Sequence, residues 1–157
     1  MLTIHHVESH EEIVTVRALF QEYQASLGID LCFQDFEAEL SGLPGAYAPP
    51  RGRLLLASSG ALPVGCVALR AVDGSRCEMK RLFVRSDARG LGAGRALVAR
   101  VMEEARSIGY EEVVLDTLPT MTNAQQLYQM LGFRDIPPYR ANPVVGTRYL
   151  GRRLLEI

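Results

Sequence analysis

Glu78-Met79-Lys80-Arg81-Leu82-Phe83-Val84-Arg85-Ser86-Asp87-Ala88-Arg89-Gly90-Leu91-Gly92-Ala93-Gly94-Arg95 is the stretch on which the reading of this chain turns. The β-branched and aromatic run Leu82-Phe83-Val84 predicts the end of a strand, and Arg85-Ser86-Asp87 a polar hinge. Arg89-Gly90-Leu91-Gly92-Ala93-Gly94 then opens directly into an apolar-periodic helix. Strand, glycine-rich turn and helix N-terminus in that order form an anion cradle. Unpaired backbone N–H groups and the positive end of the helix dipole point at one spot. Glycine lets phosphate oxygens approach the backbone and tolerates positive φ. The turn predicts a phosphorylated ligand.

Working outward, the helix is expected over residues 92–108, with Leu97, Val98, Val101, Met102 and Ala105 on one face and Gly109 as C-cap. A buried strand at 112–116 completes a βαβ unit, so its two strands should be parallel. Upstream, 53–58, 64–72 and 76–84 read as an antiparallel meander with turn signals at Gly60 and Asp73-Gly74. A first strand is expected at 3–7 and a helix at 11–27, with Ile13, Val16, Leu19, Phe20, Tyr23 and Leu27 at helical spacing and Gly28 as the stop. A shorter helix is expected at 33–40. Downstream, a helix at 122–131 should be capped by Thr120 or Thr122 and ended by Gly132, with strands at 133–136 and 147–154. The class is mixed α/β, a mostly antiparallel sheet with one parallel pair, in a single domain spanning residues 1–157.

Composition narrows the function classes. A chain of 157 residues can bury a full core without disulfide or metal staples. Its net charge of −1 gives no bulk electrostatic reason to expect nucleic acid or an anionic membrane as partner. No apolar run approaches the roughly 20 residues that span a bilayer, and no signal peptide is evident at Met1-Leu2-Thr3-Ile4-His5-His6. Cys32, Cys66 and Cys77 lack CxxC spacing and read as reduced thiols of a cytoplasmic protein, with no metal site.

Two familiar phosphate motifs fit the turn poorly. A nucleotide P-loop needs Lys-Ser or Lys-Thr after its last glycine, whereas Gly94 is followed by Arg95-Ala96. Gly90-Leu91-Gly92-Ala93-Gly94 is closer to a dinucleotide fingerprint, but its third glycine falls one position early. The unit also follows an antiparallel meander, where a dinucleotide fold would begin with it.

Arg89-Gly90-Leu91-Gly92-Ala93-Gly94 matches the [RQ]-x-x-G-x-[GA] signature of the GNAT (Gcn5-related) N-acetyltransferases. The preceding 78–84 segment resembles that family's central strand, and Asn123-Ala124-Gln125-Gln126-Leu127-Tyr128-Gln129-Met130-Leu131-Gly132-Phe133 resembles a second family element. The element order agrees along the whole chain. The resemblance implies the GNAT fold, with the parallel strands splayed apart, and acetyl-CoA as cofactor. Backbone N–H groups from Arg89 through Gly90, Leu91, Gly92 and Ala93 to Gly94 would hold the pyrophosphate, with charge from Arg89 and Arg95. The exposed backbone of Leu82, Phe83 and Val84 would pair with the pantetheine arm as an added strand pairs with a sheet edge. Asn123 resembles the helix-start asparagine that contacts the cofactor arm.

The implied chemistry is direct attack of an amine on the thioester. Tyr128 occupies the position of the family's general acid; a phenol carries its proton at neutral pH. Glu78 is the candidate base, on the strand face it shares with Lys80, where a carboxylate needs a task or a partner. On the acceptor side, Asp30 could attract an ammonium group, while Tyr139 and Arg140 lie in a loop where Arg140 could hold a carboxylate. The expected substrate is a small-molecule amine, amino-acid-like in character. A peptide or protein acceptor, or a non-catalytic coenzyme A sensor, are the alternatives. A homodimer through the C-terminal strands is a further implication of the resemblance.

Overall fold

The meander that precedes the glycine turn forms the middle of a seven-stranded sheet. In the computed structural model, which describes residues 1–28 and 35–154, β2 (Arg53–Ser59), β3 (Leu62–Ala71) and β4 (Arg76–Val84) pair antiparallel in sequence order. The Asp73 side chain closes the second hairpin by accepting the N–H groups of Ser75 and Arg76. Strand β1 (Leu2–His6) extends one side antiparallel to β2. On the other side β5 (Glu112–Thr117) joins β4 in parallel, followed by β7 (Arg148–Arg153) and the short edge strand β6 (Arg134–Asp135). One parallel pair in an otherwise antiparallel sheet is the predicted architecture.

Alternation along the strands creates two cores. Leu55, Val67, Leu69, Met79, Val113 and Leu115 face one way, onto α3 (Ala93–Ile108), whose stripe of Leu97, Val98, Val101 and Ala105 is fully buried. Burying each of the larger aliphatic side chains contributes about 2 kcal/mol. Leu54, Leu56, Cys66 and Ala68 face the other way, onto α1 (His10–Leu27) and α2 (Phe36–Gly42) through Val16, Leu19, Phe20, Phe36 and Leu40. Helix α1 starts in a capping box: Ser9 accepts the Glu12 N–H, and the Glu12 carboxylate accepts the Ser9 N–H. The backbone N–H groups of Glu8 and Ser9, both donating to Glu12 Oε1, hold its carboxyl down at about 2. No helix among the described residues is long and apolar enough to cross a membrane.

Three boundaries differ from the sequence reading. Helix α2 begins at Phe36, and residues 29–34, where the expected helix start and Asp30 fall, lie outside the described residues. Helix α4 (Thr122–Met130) has Met121 as N-cap and no side-chain cap bond, so neither Thr120 nor Thr122 caps it. The strand expected at 133–136 shrinks to two residues, because Pro137 and Pro138 follow and neither has an N–H to give a ladder.

Candidate active site

The parallel pair is joined over only three rungs, Arg76 with Glu112, Cys77 with Val113 and Glu78 with Val114. Beyond Glu78 the strands diverge, because β5 stays in register with β7 up to Thr117 while β4 stays with β3. A bulge sharpens the divergence. Ala68 opposes Lys80 but Cys66 opposes Phe83, and at the slip Arg81 takes the left-handed conformation, with φ of 60°. That conformation costs a non-glycine residue about 1–2 kcal/mol, so something must hold it. Arg81 is clamped by two hydrogen bonds of 2.9 Å to the Glu39 carboxylate on α2, with its guanidinium 5.1 Å from the Phe36 ring centre. Neither Arg81 nor Glu39 stood out in the sequence, since no local pattern announces a bulge.

The opened V leaves the β5-facing side of Leu82, Phe83 and Val84 without a strand partner. These residues floor a groove of about 610 Å³, walled by Tyr23 and Leu27 from α1, the turn before α3, and Met121, Asn123 and Leu127 around the start of α4. Arg89, Gly90, Gly92, Ala93 and Gly94 line it at the outer end. Gly90 and Gly92 have φ of 96° and 75°, which explains why the turn is built from glycine. Among the described residues, the N–H groups of Gly90, Gly92, Ala93, Gly94 and Arg95 make no hydrogen bond within the protein. The cradle is therefore narrower than expected: Arg89 and Leu91 donate to Ser86 and Ala88 carbonyls, and Leu91 points to solvent. The Arg89 and Arg95 side chains are exposed, and only Arg89 lines the groove. Asn123 lines it too, without capping α4. Free N–H groups at one end and unpaired strand backbone along the floor fit a pyrophosphate joined to an amide-bearing arm.

At its inner end the groove meets a cavity of about 30 Å³. Tyr23, Leu27, Leu82 and Met121 line both spaces. Lys80, Arg81, Asp116, Tyr128 and Asn142 line the inner one. Tyr128 is 4 % exposed, packs against Phe133 and has no hydrogen-bond partner among the described residues. Burial, with Tyr23 and Asp116 nearby, pushes its phenol well above the ordinary range, so it is protonated at neutral pH. Burial also lowers Lys80 to about 8, with Arg81 adding to the effect. Cys66 and Cys77 are buried, and burial pushes both thiols up, Cys77 to about 12, so neither is a ready nucleophile.

Glu78 is fully buried and lines neither space. Its Oε1 accepts from Arg70 Nε at 3.0 Å and from Arg140, and its Oε2 accepts from the Tyr139 hydroxyl at 2.5 Å. Glu78, Tyr139 and Arg140 thus come together, but with their polar ends turned to one another. The residue that sequence reasoning missed is Asp116, the acid that ends the apolar run Val113-Val114-Leu115; a charge at that point of a buried strand was the available signal.

Comparison with known proteins identifies the family and the fold. The acetyltransferase (GNAT) family model matches residues 14–133, and the chain belongs to that family. It is 37% identical over 151 residues to an uncharacterized N-acetyltransferase of Schizosaccharomyces pombe, covering 95% of this chain and 93% of that protein. A GNAT-family acetyltransferase of Staphylococcus aureus Mu50 superposes with a TM-score of 0.82 at 22% identity, over 99% of this chain and 100% of that one. A Salmonella typhimurium structure described with its cofactor acetyl-CoA has a TM-score of 0.67 at 19% identity, over 99% and 95% of the two chains.

Proposed function

We propose that this acetyltransferase moves an acetyl group from acetyl-CoA to the primary amine of a small molecule by direct attack. The observation that carries the reading is Tyr128, a buried residue on the cavity at the inner end of the groove whose hydroxyl has no hydrogen-bond partner among the described residues.

The N–H groups of Gly90, Gly92, Ala93, Gly94 and Arg95 would hold the pyrophosphate, with Arg89 and Asn123 at the rim, and the backbone of Leu82, Phe83 and Val84 would hold the arm. When bound, acetyl-CoA supplies an acyl carbon activated as a thioester. Tyr128 holds a proton on its phenolic oxygen and gives it to the departing sulfur. An ammonium acceptor loses two protons on becoming an amide: one is balanced on sulfur by way of Tyr128, and the other passes to solvent. Holding amine and acyl carbon together in so small a space can lower the barrier by several kcal/mol.

Glu78, in this reading, anchors the loop that bears Tyr139 and Arg140 and shapes the acceptor side through it. With donors on both oxygens and no face on the cavity, it is poorly placed to take a proton from an amine. Release of free thiol from acetyl-CoA across a panel of small amines and peptides tests the function. Turnover on peptides alone would move the acceptor to the protein class. Tight coenzyme A binding with no thiol release across the panel would reject catalysis.

A further inference from the structure

Among the described residues, most acids that are buried or half-buried are ion-paired, but Glu112 and Asp116, both on β5, are not. Glu78 has Arg70 and Arg140, Glu39 has Arg81, and Glu104 has Arg53 and Arg100. Asp116 has no ion-pair partner among the described residues, although it sits on a mostly buried strand and lines the inner cavity. Among the described residues its one side-chain hydrogen bond is at Oδ2, which accepts from Asn142 Nδ2 at 3.2 Å, leaving Oδ1 without a donor there. Asp116 is half-buried and lines the cavity, where a bound cation would find in this oxygen an acceptor with no competing protein donor among the described residues.

The surroundings suit a cation. Asp116 is two residues past the last parallel rung, Glu78 with Val114, so it stands on the β5 arm of the V opposite Lys80 on β4. Lys80 feels the charge of Glu78. Four phenols gather round Asp116: Tyr149 opposes it in the β5–β7 register, Tyr23 and Tyr128 share its cavity, and Tyr139 packs edge-on against Tyr149 at 5.6 Å. The charge of Asp116 is felt at all four hydroxyls. Phenol rings near a carboxylate add to its attraction for an ammonium group over a neutral one of equal size.

We propose that Asp116 is the residue that binds the acceptor's ammonium group, and that the acceptor is an aliphatic amine arriving as a cation. The inference rests on the acetyl-transfer reading for its role, but the binding it describes can be measured without turnover. Asp116 is a positioning residue here: it seats the nitrogen beside Tyr128, and the reaction carries the proton to solvent as above.

The test uses the full chain loaded with coenzyme A, with butylammonium and butan-1-ol as probes and saturation-transfer NMR as readout. Wild type should bind butylammonium at least tenfold more tightly than butan-1-ol. Asp116→Asn should abolish that preference while coenzyme A affinity stays within twofold, which also reports the fold, and Asp116→Glu should restore part of it. In acetyl-transfer assays Asp116→Asn should raise KM for butylamine about tenfold with a smaller change in kcat. Equal binding of the two probes by wild type, or an unchanged preference in Asp116→Asn, overturns the proposal. A preference that persists in a protein releasing no thiol with any amine would sink the catalytic reading and leave the ammonium site standing.

Discussion

Glu78 and Val114 form the last rung between β4 and β5, and everything that makes the site lies beyond that rung. Above it each strand keeps its other neighbour and loses this one. The floor of the groove is thus backbone whose hydrogen-bonding groups have no strand opposite. Unmet backbone groups are costly when buried, so a site of this kind must stay open to water or be filled by a ligand with amides of its own.

Tyr128→Phe keeps the ring that packs on Phe133 and removes the proton. The expected result is a fall in kcat of roughly 10²-fold, with coenzyme A affinity unchanged. Single-turnover thiol release measures the chemical step directly, and an unaltered rate there would remove Tyr128 from the mechanism.

Gly94→Ala separates cradle from fold. A Cβ at Gly94 would lie 3.5 Å from Leu127 Cδ2 and 3.9 Å from Val84 Cγ2, ordinary contact distances, and Gly94 is not among the glycines with positive φ. Alanine in the first turn of α3 should leave stability equal or raise it by up to about 1 kcal/mol. It also places a methyl group on the wall of the groove. Calorimetry should show weaker coenzyme A binding with Tm maintained; undiminished affinity would put the phosphate site elsewhere.

Glu78→Gln distinguishes an anchor from a base. The amide keeps the shape but offers an NH2 where Arg70, Arg140 or Tyr139 needs an acceptor. Breaking a buried ion pair costs about 3 kcal/mol or more, so urea unfolding should show a loss of that order. As an anchor, Glu78 should affect KM for the amine more than the rate of the chemical step. A large fall in that rate at full stability would make it the base instead.

Lys80 gives a pH signature. Burial holds its amine at about 8 in the folded protein, whereas an exposed lysine titrates near about 10.4. Between those values the unfolded chain keeps the proton and the folded one has released it, so this group makes stability rise with pH across that window. Lys80→Met removes the contribution. The stability of the variant relative to wild type should therefore fall as pH rises from about 8 towards about 10.4. Paired urea titrations at pH 7 and pH 10 measure it, and a constant gap would contradict the assignment.

The cradle, the meander and the βαβ unit were legible in residues 53–116 because each rests on local chemistry: positive φ at glycine, side-chain alternation, and the spacing of one helical stripe. The cap of α4 was not. Thr120 and Thr122 both have the right chemistry, but the backbone turns at Met121.

The sequence by itself determined the family and the end of the groove that takes phosphate, since glycine requirements and helix starts are set by residues a few positions apart. Only the tertiary structure decided what the interior acids do. Arg70 and Arg140 reach Glu78 from positions 8 and 62 residues away, while no arginine reaches Asp116 among the described residues. The two carboxylates lie on neighbouring strands and on the same face of the sheet, one before the strands part and one after. Whether an acid is a bolt or a docking point depends on which distant side chains arrive beside it, and the splay of β4 from β5 settles that.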